Sequence, residues 1–175
     1  KNMKINILVP DINYSKSLFK IEIDKNGNKN IRYGLSALKN VGVGSILKLV
    51  KERKDNGKFT NFNNFCNRLN DENFNIRQLE YLIKSGSFDS LENNRALLFN
   101  NIEKIVQLIR NNAKNEDQNS LFSDHKENDN LINFNKNFKR WNKSTSLKFE
   151  HESLGFYLSQ HPLKDFDSFL KKNNF

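Results

Sequence analysis

The sequence predicts a mainly α-helical fold with a small β-hairpin in front of it. Apolar residues recur at helical spacing along most of residues 34–112. An alternating apolar and polar segment with an Asn-Gly turn precedes them, and a polar stretch without any period follows them. With 175 residues, of which 36% are hydrophobic, the chain has the size of one domain with a lean core.

The predicted β-hairpin spans residues 18–33. Phe19, Ile21 and Ile23 stand at alternate positions, which is the pattern of a strand with one apolar face. Asn26-Gly27 then supplies the turn, because both residue types tolerate positive φ. The residues after this turn return as the second strand.

The rest of the ordered chain is predicted to consist of helices. A short helix carries Leu35 and Leu38, and the next one ends near Asn56-Gly57. Further apolar stripes predict four more helices, over residues 62–69, 76–83, 94–112 and 147–159. Thr60 is the predicted N-cap of the first of these and Gly86 the predicted C-cap of the second. Pro162 is expected to stop the last one.

Several classes of protein are excluded by what the sequence lacks. No apolar run approaches the roughly 18–20 residues needed to cross a bilayer, and no signal peptide is visible. The single cysteine, Cys66, excludes an internal disulfide framework and a thiolate zinc cluster. We therefore expect a cytoplasmic protein that has no membrane partner.

Positive charge is concentrated at the start of the chain. The formal net charge is +9, and residues 1–58 hold 13 basic and 5 acidic side chains. Drift of the genome toward lysine codons would spread the charge evenly, so this asymmetry indicates a polyanionic partner at that end. Codon drift is the alternative explanation of the high overall basicity.

A glycine-containing turn lies between the first two predicted helices. Residues 38–44 read Leu-Lys-Asn-Val-Gly-Val-Gly, which has the form of a helix-hairpin-helix. Gly42 and Gly44 let the backbone approach a ligand without obstruction by a Cβ atom. The amides of Gly44, Ser45 and Ile46 open the second helix at its positive pole and lack partners within the helix. They are therefore predicted to bind phosphate oxygens of duplex DNA without reading its sequence.

Lysines extend this predicted site. Lys48 and Lys51 stand three residues apart and share a helix face, and Lys39 precedes the turn. The alternative is an ordinary helix–helix turn with solvated lysines. The predicted DNA-binding residues are Lys39, Val41, Gly42, Val43, Gly44, Ser45, Ile46, Lys48 and Lys51.

A second short motif lies within the polar stretch, at residues 118–122. Leu121 and Phe122 are adjacent large apolar residues in a segment that cannot form a core. Such a pair suits docking into a hydrophobic pocket, while the Gln118 amide fixes the register. The form Q-x-x-L-F is similar to the motif by which bacterial proteins bind the sliding clamp.

Longer blocks connect these motifs. VPDIN, IRYGLSALKNVGVGSI, FTNFNNFCNRL, LEYLIKSGSFDSL, NRALLFNNIE, QNSLF and LGFYLSQHPL occur in this order between residues 8 and 163. The series resembles the C-family bacterial replicative DNA polymerases, in the branch of the polymerase III alpha subunit. The resemblance implies a tandem helix-hairpin-helix bundle preceded by the small β-hairpin, with a flexible linker and a C-terminal helix.

The resemblance also implies a division of the chain and a set of partners. Residues 1–33 would be the end of the fingers region with its β-hairpin, and 34–113 the helical helix-hairpin-helix DNA-binding domain. Residues 114–145 would be a flexible linker with the clamp-binding motif, and 146–175 the helical start of the following region. Within the second of these, residues 85–88 stand where a second hairpin would fall, with one glycine left. The implied partners are duplex DNA, the sliding clamp and other replicase subunits.

No residues of this chain match the catalytic centre of that family. There, palm carboxylates hold two metal ions, expected to be Mg²⁺, for nucleotidyl transfer. The segment is thus expected to be a non-catalytic part of a DNA-directed DNA polymerase, with no cofactor of its own. His125, His151 and His161 are scattered and do not have the spacing of a zinc site. Two other functions stay open, a stand-alone helix-hairpin-helix DNA-repair or DNA-binding protein and a helical scaffold that binds only protein.

Overall fold

The structure is a computed structural model that describes residues 5–69, 74–119, 134 and 138–166. For residues 112–119 and 165–166 it describes the backbone only. A small β-sheet comes first among these residues and helices follow, so the predicted mainly α fold is confirmed. The helices are α1 (Val43–Asn56), α2 (Phe62–Arg68), α3 (Ile76–Lys84), α4 (Arg95–Asn100), α5 (Ile102–Asn119) and α6 (Lys143–Leu154).

The sheet contains the predicted hairpin and one strand that was not predicted. Strands β2 (Lys20–Ile23) and β3 (Lys29–Arg32) are antiparallel, and Gly27 between them has φ +81°. Strand β1 (Asn6–Leu8) pairs with β3 in parallel, which gives the order β1-β3-β2. Three residues are too few to produce a recognisable alternation, so only the pairing with β3 reveals β1.

Asparagine side chains set two helix boundaries differently from the prediction. The N-cap of α2 is Asn61 rather than Thr60, because Asn61 Oδ1 accepts a hydrogen bond from the Asn64 amide at 2.8 Å. The single helix predicted over residues 94–112 is two helices. Asn101 separates them, and its Nδ2 donates to the Leu97 carbonyl oxygen at 2.8 Å.

The ends of α5 and α6 also differ from the prediction. Helix α5 continues to Asn119, into the stretch predicted as a linker. Helix α6 begins at Lys143, capped by Asn142. It ends at Leu154, with Gly155 as the C-cap at φ +89°, and Pro162 instead opens a short 3₁₀ turn.

The core joins buried residues of α1, α2, α3 and α5, and a group of phenylalanine rings lies within it. Phe65 is fully buried and meets Phe88 edge to face, with ring centroids 4.8 Å apart. Helix α6 packs against α3, where the Lys84 ammonium lies 2.8 Å from Glu152 and 2.6 Å from Glu80. No helix in the described part of the chain combines the length and apolar character needed to span a membrane.

Candidate nucleic-acid interface

The turn before α1 owes its shape to Asn40. A 3₁₀ turn over Leu35–Ala37 leads into it, and Asn40 follows with φ +60°. Val41 is then buried, and Gly42 is extended, with φ −73° and ψ 139°, as the N-cap of α1. The left-handed position of the hairpin is therefore occupied by asparagine, and neither Gly42 nor Gly44 has a positive φ.

The N-terminus of α1 is uncapped. No side chain accepts a hydrogen bond there, and the first turn contains no acidic residue. The amides of Val43, Gly44 and Ser45 donate to no acceptor among the described residues. The Ile46 amide donates to the Gly42 carbonyl oxygen at 3.3 Å. The predicted set of free amides is thus wrong by one residue: it begins at Val43, and Ile46 belongs to the helix.

Exposure divides the predicted DNA-binding residues into two groups. Val41 and Ile46 are 7% and 0% exposed, so their side chains hold the hairpin onto the core and cannot touch a ligand. A Cβ atom at Gly44 would meet nothing within 4 Å. Ser45 is half-buried. The exposed members are Lys39, Gly42, Val43, Gly44, Lys48 and Lys51.

Two contacts that the sequence did not predict hold the hairpin in place. Gln78 Nε2 donates to Ser45 Oγ at 3.1 Å, and a Cβ atom at Gly42 would lie 3.0 Å from the same Nε2. The Lys39 amide donates to the Ser153 carbonyl oxygen at 3.0 Å. The first turn of α3 and the last turn of α6 thus support the turn from two sides. The Asn75-x-x-Gln78 capping box was a visible signal for the start of α3 but did not indicate its neighbour.

The charge beside the free amides is positive. Lys39, Lys48 and Lys51 form no ion pair with any side chain that the structure describes. No carboxylate neutralises their ammonium groups, which therefore add positive charge to the surface formed by α1 and the turn before it. Exposed backbone donors, positive charge and an open approach at Gly44 together form a surface suited to an anion.

The turn at residues 85–88, where a second hairpin was expected, has no open approach at its glycine. Gly86 has φ +79° and is buried, and a Cβ atom added to it would overlap the Arg95 guanidinium group. That guanidinium is held by Asp89, with its Nη2 2.6 Å from Asp89 Oδ2. The Gly86 and Ser87 amides donate to carbonyl oxygens of α3. The Ser85 amide also donates to a carbonyl oxygen of α3, so this turn does not repeat the run of three free amides found at the first turn.

The predicted clamp-binding motif falls mostly outside the described residues. Leu121 and Phe122 lie there, and for Gln118 only the α5 backbone is described. Within the described ranges, no three His, Cys, Asp or Glu side chains form a group that could hold a metal ion. The lone thiol, Cys66, is buried, and burial raises its pKa.

Comparison with known proteins agrees with this geometry. The helix-hairpin-helix motif family matches residues 4–98. DNA polymerase III subunit alpha of Borreliella burgdorferi is 39% identical over 99% of this chain, and the same subunit of Neisseria meningitidis serogroup A is 38% identical over 90%. That of Buchnera aphidicola subsp. Schizaphis graminum is 36% identical over 97%. The chain spans only 13–15% of the length of these relatives.

The family match over residues 4–98 covers the sheet, the hairpin and helices α1, α2 and α3, and the match to the Borreliella burgdorferi subunit covers 99% of the chain. The resemblance to DNA polymerase III alpha subunits stated from the sequence is thereby confirmed. This chain belongs to the helix-hairpin-helix family and is similar over nearly its whole length to one segment of bacterial DNA polymerase III alpha subunits.

Proposed function

We propose that this chain is the part of a replicative DNA polymerase alpha subunit that grips duplex DNA without sequence preference and tethers the enzyme to its sliding clamp. The observation that carries the first half is the uncapped N-terminus of α1, where three amides are free beside unpaired lysines. A phosphate oxygen accepts hydrogen bonds from such amides and gains from the helix dipole. Because these contacts involve no base edge, they position the protein on DNA of any sequence.

The proposed parent enzyme is a DNA-directed DNA polymerase of the cytoplasm, and the other replicase subunits meet this segment through the parent chain. We assign no catalytic residue to the segment itself. Mg²⁺ would be bound by palm carboxylates elsewhere in the parent. The role of this segment would then be processivity, because two weak attachments raise each other's effective concentration.

Salt-dependent binding tests the proposed grip on DNA. The 175-residue chain is titrated with a fluorescent duplex at several salt concentrations, and each phosphate contact contributes about −0.9 to the slope of log K against log salt. Lys39→Gln with Lys48→Gln should reduce the magnitude of that slope by about 1.8. The matched control replaces the exposed Lys29 and Lys104 by Gln, which removes the same charge elsewhere. A wild-type slope near zero would exclude phosphate contacts and leave the protein-only scaffold.

Binding to purified sliding clamp tests the proposed tether. Support for it comes from the Gln118, Leu121 and Phe122 pattern in the sequence. The chain is immobilised, and clamp is passed over wild type and over the double variant Leu121→Ala/Phe122→Ala. Binding should be lost in the double variant and retained in Leu163→Ala, which removes an exposed apolar side chain at another place. Equal binding by wild type and double variant would eliminate the motif.

A further inference from the structure

A polar groove of about 800 Å³ lies beside the hairpin, between the C-terminal half of α1 and helix α2. Lys48 and Lys51 line it from α1, and Lys58 lines it from the loop that follows. Asn64 and Arg68 line it from α2. Two lysines of the predicted hairpin site therefore also face a second concave surface, which the sequence did not indicate.

Two charged side chains of this groove, Arg68 and Glu52, form an ion pair with each other. Arg68 Nε donates to Glu52 Oε1 at 3.0 Å, and Arg68 Nη2 donates to the Gly57 carbonyl oxygen at 2.9 Å. Glu52 also accepts from Asn56 Nδ2 at 2.9 Å. Arg68 and Glu52 therefore neutralise each other, and Arg68 fixes the loop that carries Lys58 through a bond to its carbonyl oxygen at 3.3 Å. Neither charge is available to a ligand.

The charges that stay available are mainly positive. Lys48, Lys51 and Lys58 form no ion pair within the described part of the chain, and Asp55 is the one other acidic side chain among the described lining residues. The Lys58 ammonium stands 3.8 Å from the centroid of the Tyr14 ring, which orients it by a cation–π interaction. A groove with this excess of ammonium groups suits a ligand with regularly spaced negative charges.

The groove lies farther along α1 than the hairpin does. Lys51 follows Val43 by eight residues, which is about 12 Å along α1 at 1.5 Å per residue. Phosphates on one strand advance by about 3.4 Å per nucleotide along the duplex axis, so about 12 Å corresponds to three or four nucleotides.

We propose that the groove between α1 and α2 is a second binding site for the sugar-phosphate backbone of duplex DNA, three or four nucleotides from the contact at the hairpin. Lys58 is the residue that this proposal adds, and Asp55 is the residue that weakens the site. The inference rests on the proposed binding of DNA by the hairpin, and it extends the contact along the same strand.

Charge substitutions in the 175-residue chain test this second site. Lys58→Gln should reduce the magnitude of the slope of log K against log salt by about 0.9. Between about 50 and 200 mM salt, its affinity should then fall about threefold to fourfold less than that of wild type. Asp55→Asn should tighten binding, because it removes the one unpaired negative charge of the described lining. Lys104→Gln, on the exposed side of α5, is the control with the same change of charge.

Two further measurements separate the possible outcomes. Lys58→Arg keeps the charge and should restore the wild-type slope, which distinguishes a lost contact from a disturbed loop. If Lys58→Gln has the same slope as Lys104→Gln while Lys39→Gln, which lies outside the groove, lowers the slope, the groove proposal is overturned and the hairpin contact stands. If wild type itself shows no dependence on salt, the proposed grip on DNA fails first.

Discussion

Gly44 is the position at which stability and DNA binding should respond in opposite directions. It lies in the first turn of α1, is exposed, and has open space where a Cβ atom would stand. Glycine within a helix costs about 0.5–1 kcal/mol relative to alanine, so Gly44→Ala should raise the free energy of unfolding by about that amount. For a chain of this length the expected rise in Tm is about 1–4 °C.

The same methyl group should weaken DNA binding. It would stand beside the free amides of Val43, Gly44 and Ser45, where we propose that a phosphate approaches. A hydrogen bond to a charged group contributes about 1.5–3 kcal/mol, so the loss of one such bond lowers affinity about 10- to 150-fold. Affinity is measured by titrating a fluorescent duplex at fixed salt, and stability by thermal unfolding of the same sample.

The combination of the two measurements makes this prediction decisive. Ser144→Ala is the control, because Ser144 is exposed at the corresponding position in the first turn of α6. It should leave DNA affinity unchanged. A Gly44→Ala variant that is more stable and binds DNA as tightly as wild type would refute the idea that backbone approach at Gly44 is used. A variant that is less stable would refute the reasoning about open space.

Three further predictions concern the hairpin, the ion pair between α3 and α6, and the core. Asn40→Ala should cost about 1–2 kcal/mol in urea unfolding, because alanine is strained at φ +60°, whereas Asn40→Gly should fold as well as wild type; equal stability of the alanine variant would contradict this. The hydrogen bond from Lys84 is the main cause that lowers the pKa of Glu152 below its ordinary value of 4.5. Ionised Glu152 therefore stabilises the folded chain above pH 4.5, and this stabilisation is lost as the pH falls below that value. Glu152→Gln should therefore lose less stability than wild type between neutral pH and pH ~3, and parallel curves would refute the coupling. Cys66 should react with a thiol reagent only on unfolding, because it is fully buried and its thiol pKa is raised; fast labelling of the folded chain would contradict the core.

The sequence alone determined the features that depend on neighbours close along the chain. Alternation of apolar residues and the Asn-Gly turn predicted the hairpin formed by β2 and β3, and the structure confirms it. Stripes at helical spacing predicted most helices, and the predicted C-cap of α3, Gly86, is wrong by one residue: Ser85 is the C-cap and Gly86 follows it with positive φ. Periodicity and chain-reversal signals act over a few residues, so they can be read without knowing the rest of the fold.

Only the tertiary structure decided which residues of the turn face a ligand. The sequence Asn-Val-Gly-Val-Gly does not predict that Val41 is buried while Val43 is exposed, because burial depends on which residues pack against the turn. The support from Gln78 reaches across 33 residues to Ser45, and the ion pair of α3 with α6 joins residues 68 apart. Such contacts are selected by the free energy of the whole packed core, which local patterns do not encode.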